Sequence, residues 1–185
     1  MKVNEQAIRN FTEKKYPKVR RDEYSYEATQ EYVVERVEQL KQLYGLKQHP
    51  QTLRLIRDEI DRHLRRYHEY CIQQRIGAHY REITQEKTVF EHVIPNSTVR
   101  DLVLEGALTV IQACNMPTCQ LSVSRDKQLR NHGFTSCTPD IFCFWQRYEN
   151  CFSTVNCFQT WQGDVVHTES WNLQSHFDLV FDCEL

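Results

Sequence analysis

Glycine and proline are scarce in this 185-residue chain, five of each, which excludes collagen-like, linker-like and low-complexity classes. Long apolar runs are absent too: stretches such as Val103–Ala107 and Ala107–Ile111 are broken by Glu105 and neighbouring polar residues, far short of the roughly 18 residues that span a bilayer. A transmembrane helix is thereby excluded, and no membrane partner is expected. Met1–Phe11 lacks the apolar core of a secretion signal, so a cytoplasmic location is expected. The eight cysteines include no Cys-x-x-Cys, the tight spacing that zinc knuckles favour. No internal repeat occurs, and no Lys or Arg follows Arg147.

What is present suits a folded chain: 40% hydrophobic, 11% aromatic and 26% charged residues, enough for one domain, or for one domain with a helical arm. The net charge of −2 conceals an asymmetry. Residues 1–90 hold 18 Lys+Arg against 14 Asp+Glu, a balance of +4, whereas residues 91–185 hold 5 against 11, a balance of −6. Seven cysteines (Cys114, Cys119, Cys137, Cys143, Cys151, Cys157, Cys183) fall in the acidic half. Without a secretion signal they are expected as reduced, mostly buried thiols.

The first half reads as helix. Asn4–Lys15 carries Ala7, Ile8 and Phe11 on one side, followed by Pro17 and the basic run Lys18–Arg21. From Tyr26 to Tyr44, Tyr32, Val33, Val37, Leu40, Leu43 and Tyr44 recur at helical spacing before Gly45. Pro50 opens a further amphipathic segment that keeps this period through Ile56, Ile60, Leu64, Tyr67 and Cys71 to Gly77. Two antiparallel helices follow. The second carries Arg54, Arg57, Arg62, Arg65, Arg66 and Arg75, whose planar forks suit phosphate oxygens. Asp58, Glu59, Asp61 and Glu69 lie among them, so a solvated, internally paired face is the alternative.

At residue 88 the pattern changes. Thr88–Ile94 is β-branched and aromatic and Pro95 ends it, a strand interrupted by the pair Glu91-His92. A carboxylate and an imidazole inside an apolar strand demand a reason. A helix capped by Ser97 runs to Pro117, Gln120–Val123 forms a second strand, and Arg125–His132 a short helix stopped by Gly133. The tail is expected as short strands at Cys151–Val155, Phe158–Trp161, Val165–Thr168 and Phe177–Phe181.

The segments Glu91–Pro95, Leu121–Leu129, Gly133, Pro139-Asp140 and Trp145–Tyr148 together resemble the HNH, or His-Me finger, endonucleases. The resemblance implies a ββα-metal core over about residues 87–148, with His92 as general base, Glu91 as metal ligand or as the residue orienting His92, and Asp126 as the helix ligand. Asn131 and His132 are candidates for the family's asparagine and second histidine. The chemistry also stands without the family, because phosphodiester hydrolysis needs a base and a divalent cation. Histidine accepts protons near neutrality, and carboxylates suit Mg²⁺ or Mn²⁺.

The expectation is therefore an α+β fold with a helical amino-terminal arm (1–86), a ββα-metal-like core and a short-stranded tail (87–185). Its function would be that of a metal-dependent endonuclease acting on DNA before RNA, gripping phosphates with Arg54, Arg62, Arg65, Arg66 and Arg147. A homodimer is one way for so small a nuclease to cut both strands. The competing expectation is a non-enzymatic nucleic-acid or protein interaction module on a cysteine-rich scaffold. Structural Zn²⁺ could then be held by Cys114 and Cys119 with Cys137, Cys143, Cys151 or Cys157 and His132 or His167.

Overall fold

A computed structural model gives the structure and describes residues 25–182. The expected helix Asn4–Lys15, the run Lys18–Arg21 and Cys183 lie outside the described residues.

Helix α1 spans Tyr26–Leu46 and is capped by Ser25, whose hydroxyl accepts from the Ala28 N–H at 3.0 Å. Its buried stripe is Thr29, Val33, Val37 and Leu40. Helix α2, Pro50–Tyr67, starts with proline where a missing N–H costs nothing and buries Ile56, Ile60, His63, Leu64 and Tyr67. The Tyr26 and Tyr67 hydroxyls, from opposite ends of the two helices, lie 3.2 Å apart, which fixes the pair as antiparallel. The chain continues as a π-helical turn, His68–Gln73, and a last turn, Gln74–Ile76. Gly77, at φ 79°, ends it in a conformation that glycine adopts without a Cβ penalty.

A four-stranded mixed sheet follows: β1 Tyr80–Glu82, β2 Thr88–His92, β3 Thr118–Ser122 and β4 Phe158–Thr160, in the order β2-β3-β1-β4. Strand β3 is antiparallel to β2, with Glu91 opposite Cys119 and His92 opposite Thr118, and parallel to β1, which is antiparallel to β4. Helices α3 (Asn96–Leu104) and α4 (Val110–Cys114) connect β2 to β3. Helix α5 (Val123–Asn131) leaves β3 directly, capped by Ser122, and α6 (Gln146–Glu149) and α7 (Leu173–Asp182) complete the described fold. One continuous apolar core runs from Val33 and Val37 of the arm through Tyr80 and Val99 to Phe158 and Phe177. The arm and the sheet thus share their interior, and β1, from before residue 87, occupies the middle of the sheet.

The fold is α+β with an amino-terminal helical arm, as the sequence suggests, but three segments differ. The single helix expected from Ser97 to Pro117 is two, because Gly106 turns the chain at φ 78° and Thr109 restarts it through a capping box with Gln112. The cap of α3 is Pro95. In the tail, Phe158–Thr160 alone is a strand, with Val165 forming one isolated bridge to Gln159. Phe177–Phe181, expected as a strand, lies in α7, whose buried His176, Phe177 and Val180 follow a helical period.

Candidate functional site

Neighbouring side chains on β2 leave opposite faces of the sheet, and this separates Glu91 from His92. Glu91 meets Arg147 of α6. Arg147 Nη2 donates to Glu91 Oε1 at 2.8 Å, and the Tyr148 hydroxyl donates to Oε2 at 3.0 Å. Burial pushes the Glu91 carboxyl above its ordinary value, while Arg147 and Tyr148 pull it back. Arg147 was expected to touch phosphate. It is 0% exposed and spends its remaining donors on backbone carbonyls: Nε on Phe134 at 2.8 Å, and Nη1 on His92 at 2.9 Å and Val93 at 2.6 Å. It fastens the loop after α5 and the end of β2 to α6, and no part of it reaches solvent.

The His92 ring packs 4.9 Å from that of His68 in the π-helical turn and 5.3 Å from Phe90. Its Nε2 is buried without a hydrogen-bond partner among the described residues. Burial, reinforced by the positive ends of His68, Arg65 and Arg147, pulls this imidazole down to about 3, a weak base for deprotonating water. Asp126, in the first turn of α5, pairs with Arg130 one turn on. Asn131 and His132 are exposed at the far end of α5, where His132 Nδ1 donates to the Gln128 carbonyl at 2.9 Å.

Asp126 lies near enough to Glu91 to help raise its carboxyl, but among the described residues no three His, Cys, Asp or Glu side chains converge to hold a metal ion. Both oxygens of Glu91 are already engaged by Arg147 and Tyr148, and Asp126 answers to Arg130. The zinc alternative fits no better. Cys114 and Cys119 are buried and their thiols are pushed up by desolvation, whereas a zinc ligand is a thiolate. Cys137 is exposed and Cys143, Cys151 and Cys157 are half-buried, each without a disulfide partner.

The arm is arranged differently. Arg54, Arg62 and Arg65 are exposed on α2. Arg62 holds Glu59 at 2.6 Å, with its side chain still 69% exposed, so that pair is worth little. The Arg66 guanidinium lies over the rings of Tyr32, 5.7 Å away, and Tyr70, 6.0 Å away. Beside them Arg36 of α1 donates to Gln39 at 3.2 Å. By contrast Arg57 is bound to Asp101 at 3.0 Å, and Arg100 to Asp61 at 2.7 Å and to Asp101 at 2.8 Å. Sequence reading missed Arg36 and Tyr32. Tyr32 was counted with the apolar stripe, yet it sits one position off Val33 and Val37 and is 49% exposed; that offset is the signal.

No family model matches this chain, and no curated protein or solved structure matches it either. No described helix is long and apolar enough to cross a membrane.

Proposed function

We propose that this chain is a nucleic-acid-binding module that grips phosphates with the helical arm and uses the sheet half as scaffold. The observation that carries this reading is the contrast between two sets of arginines. Arg147, beside the Glu91-His92 pair, is consumed by the core, while Arg54, Arg62 and Arg65 stand exposed along α2. At about 1.5 Å rise and 100° per residue, Arg54 and Arg65 fall about 20° apart around the helix and roughly 16 Å apart along it, with Arg62 on the same side. A strip of that length meets several successive phosphates of one strand. Asp58 and Asp61 interrupt the strip, but Asp61 is held by Arg100 and Glu59 by Arg62, so guanidinium charge prevails there.

Fluorescence anisotropy with a labelled oligonucleotide at low salt tests the reading. Changing Arg62 and Arg65 together to Glu is expected to weaken binding at least tenfold, and unchanged affinity would remove α2 from the account.

A second reading, a metal-dependent phosphodiesterase of the HNH kind, is favoured by one feature: β2, β3 and α5 follow in ββα order, with Glu91 and His92 closing β2. On the binding reading, plasmid DNA incubated with the protein and Mg²⁺ or Mn²⁺ stays intact. Nicking that EDTA abolishes, and that both His92→Ala and Asp126→Asn remove, would establish the second reading instead.

A further inference from the structure

We infer that the cleft at the tip of the arm, where the end of α1, the start of α2 and α3 meet, is a binding site for one phosphate-bearing nucleotide unit. This rests on the nucleic-acid reading and assigns it a pocket. The cleft is a shallow depression of about 460 Å³ that stays largely open to solvent. Three guanidinium groups line it, Arg54, Arg57 and Arg100, with the carboxylate of Asp58; Asp101 and Asp61, bound to Arg57 and Arg100 just behind the lining, balance the charge of those two.

The three arginines differ in how far they are committed. Arg57 and Arg100 are held on Asp101, and Arg100 also on Asp61, so two forks are fixed in place by a carboxylate network. Arg54 is exposed and has no hydrogen-bond or ion-pair partner among the described residues. A ligand phosphate therefore finds one uncommitted fork, Arg54, beside the remaining N–H groups of two arginines whose charge Asp61 and Asp101 already balance. The rest of the wall is apolar and aromatic, formed by Tyr44, Pro50 and Leu53.

Inorganic phosphate has no use for that wall, whereas a nucleobase does, because an aromatic ring stacks on any base. Asp58 sharpens the distinction. Its carboxylate repels a bare anion but accepts a hydrogen bond from a ribose hydroxyl or an exocyclic amine, groups that a nucleotide presents and phosphate lacks. The cleft lies at the end of the α1–α2 hairpin, the same helix whose exposed strip carries Arg62 and Arg65. A terminal nucleotide of a strand lying on that strip would end in it.

Isothermal titration of the full chain with adenosine 5′-monophosphate, inorganic phosphate and adenosine as separate probes tests the site. The mononucleotide is expected to bind at least tenfold more tightly than phosphate or nucleoside. Arg54→Glu, on an exposed position, and Tyr44→Leu, which keeps the apolar packing, are each expected to weaken mononucleotide binding at least tenfold, with far-ultraviolet circular dichroism unchanged. Equal binding of phosphate and mononucleotide overturns the proposal, as does unchanged affinity in Arg54→Glu. Failure of the mononucleotide to bind while an oligonucleotide still does refutes the cleft and leaves the strip intact; failure of both refutes the two together.

Discussion

Arg147→Met is expected to destabilise the protein by about 3–5 kcal/mol, because it strips a buried carboxylate of its counter-charge. In a chain of this size that is a fall in Tm of roughly 6–20 °C, readable by calorimetry. Arg147 is 0% exposed, and it bonds the Glu91 carboxylate and the carbonyls of Phe134, His92 and Val93. Its loss leaves those groups buried and short of donors. Glu91→Leu combined with Arg147→Met is expected to recover part of the loss, since an apolar pair of similar volume carries no desolvation cost. A phosphate-contacting Arg147 would behave otherwise: binding would fall and Tm would hardly move.

The second large effect is acid unfolding. His68, His79 and His176 are buried and His92 is half-buried, and desolvation holds all four below their ordinary value: His68 and His176 at about 4, His92 at about 3, and His79 well down. Each binds fewer protons in the folded chain than in the unfolded one. Their contribution is therefore whole above about pH 6.5, where unfolded histidine is neutral, and is lost as pH falls toward 4 and below. Each fully titrating site is worth about 1.4 kcal/mol per pH unit, so four together approach about 5.6 kcal/mol per pH unit, a slope that consumes a whole-domain stability of about 5–15 kcal/mol within about one to three pH units. Glu91 and Asp61, whose carboxyls burial raises, act in the opposite sense and offset part of this as they protonate. The protein is expected to be stable at pH 7 and to unfold between about pH 4 and 5.5. Urea midpoints measured from pH 7 to 4.5 check it, and a flat profile would mean that these histidines are solvated.

Periodicity made the arm legible. Val33, Val37 and Leu40, then Ile56, Ile60 and Leu64, repeat at helical spacing, and Pro50 and Gly77 stand where helix ends need them. Strand β1 was not legible, because three residues, Tyr80–Glu82, are too few to show alternation. The division between α3 and α4 was present in the sequence as Thr109 followed by Gln112, a capping box overshadowed by apolar residues on either side. In α7 the string Phe177–Phe181 is apolar apart from Asp178, as a short buried strand would be, and only its extension back to His176, buried with Phe177 and Val180, restores the helical period. Glu91 and His92 stood out in the sequence as residues needing a reason. The reason was hidden, because the partner of Glu91 lies 56 residues away and that of His92 sits in the π-helical turn. No local pattern reports either contact.

The arm also explains why the overall charge of −2 does not exclude a polyanion. Affinity follows the guanidinium groups that face solvent rather than the sum over the chain. The most direct measurement is the dependence of oligonucleotide affinity on salt, compared between the wild type and the Arg62→Glu/Arg65→Glu variant. Binding by the α2 strip predicts that log Kd rises linearly with log salt in the wild type, and that the slope falls by about one to two in the variant. A wild-type affinity indifferent to salt, or an identical slope in the two proteins, would contradict the account.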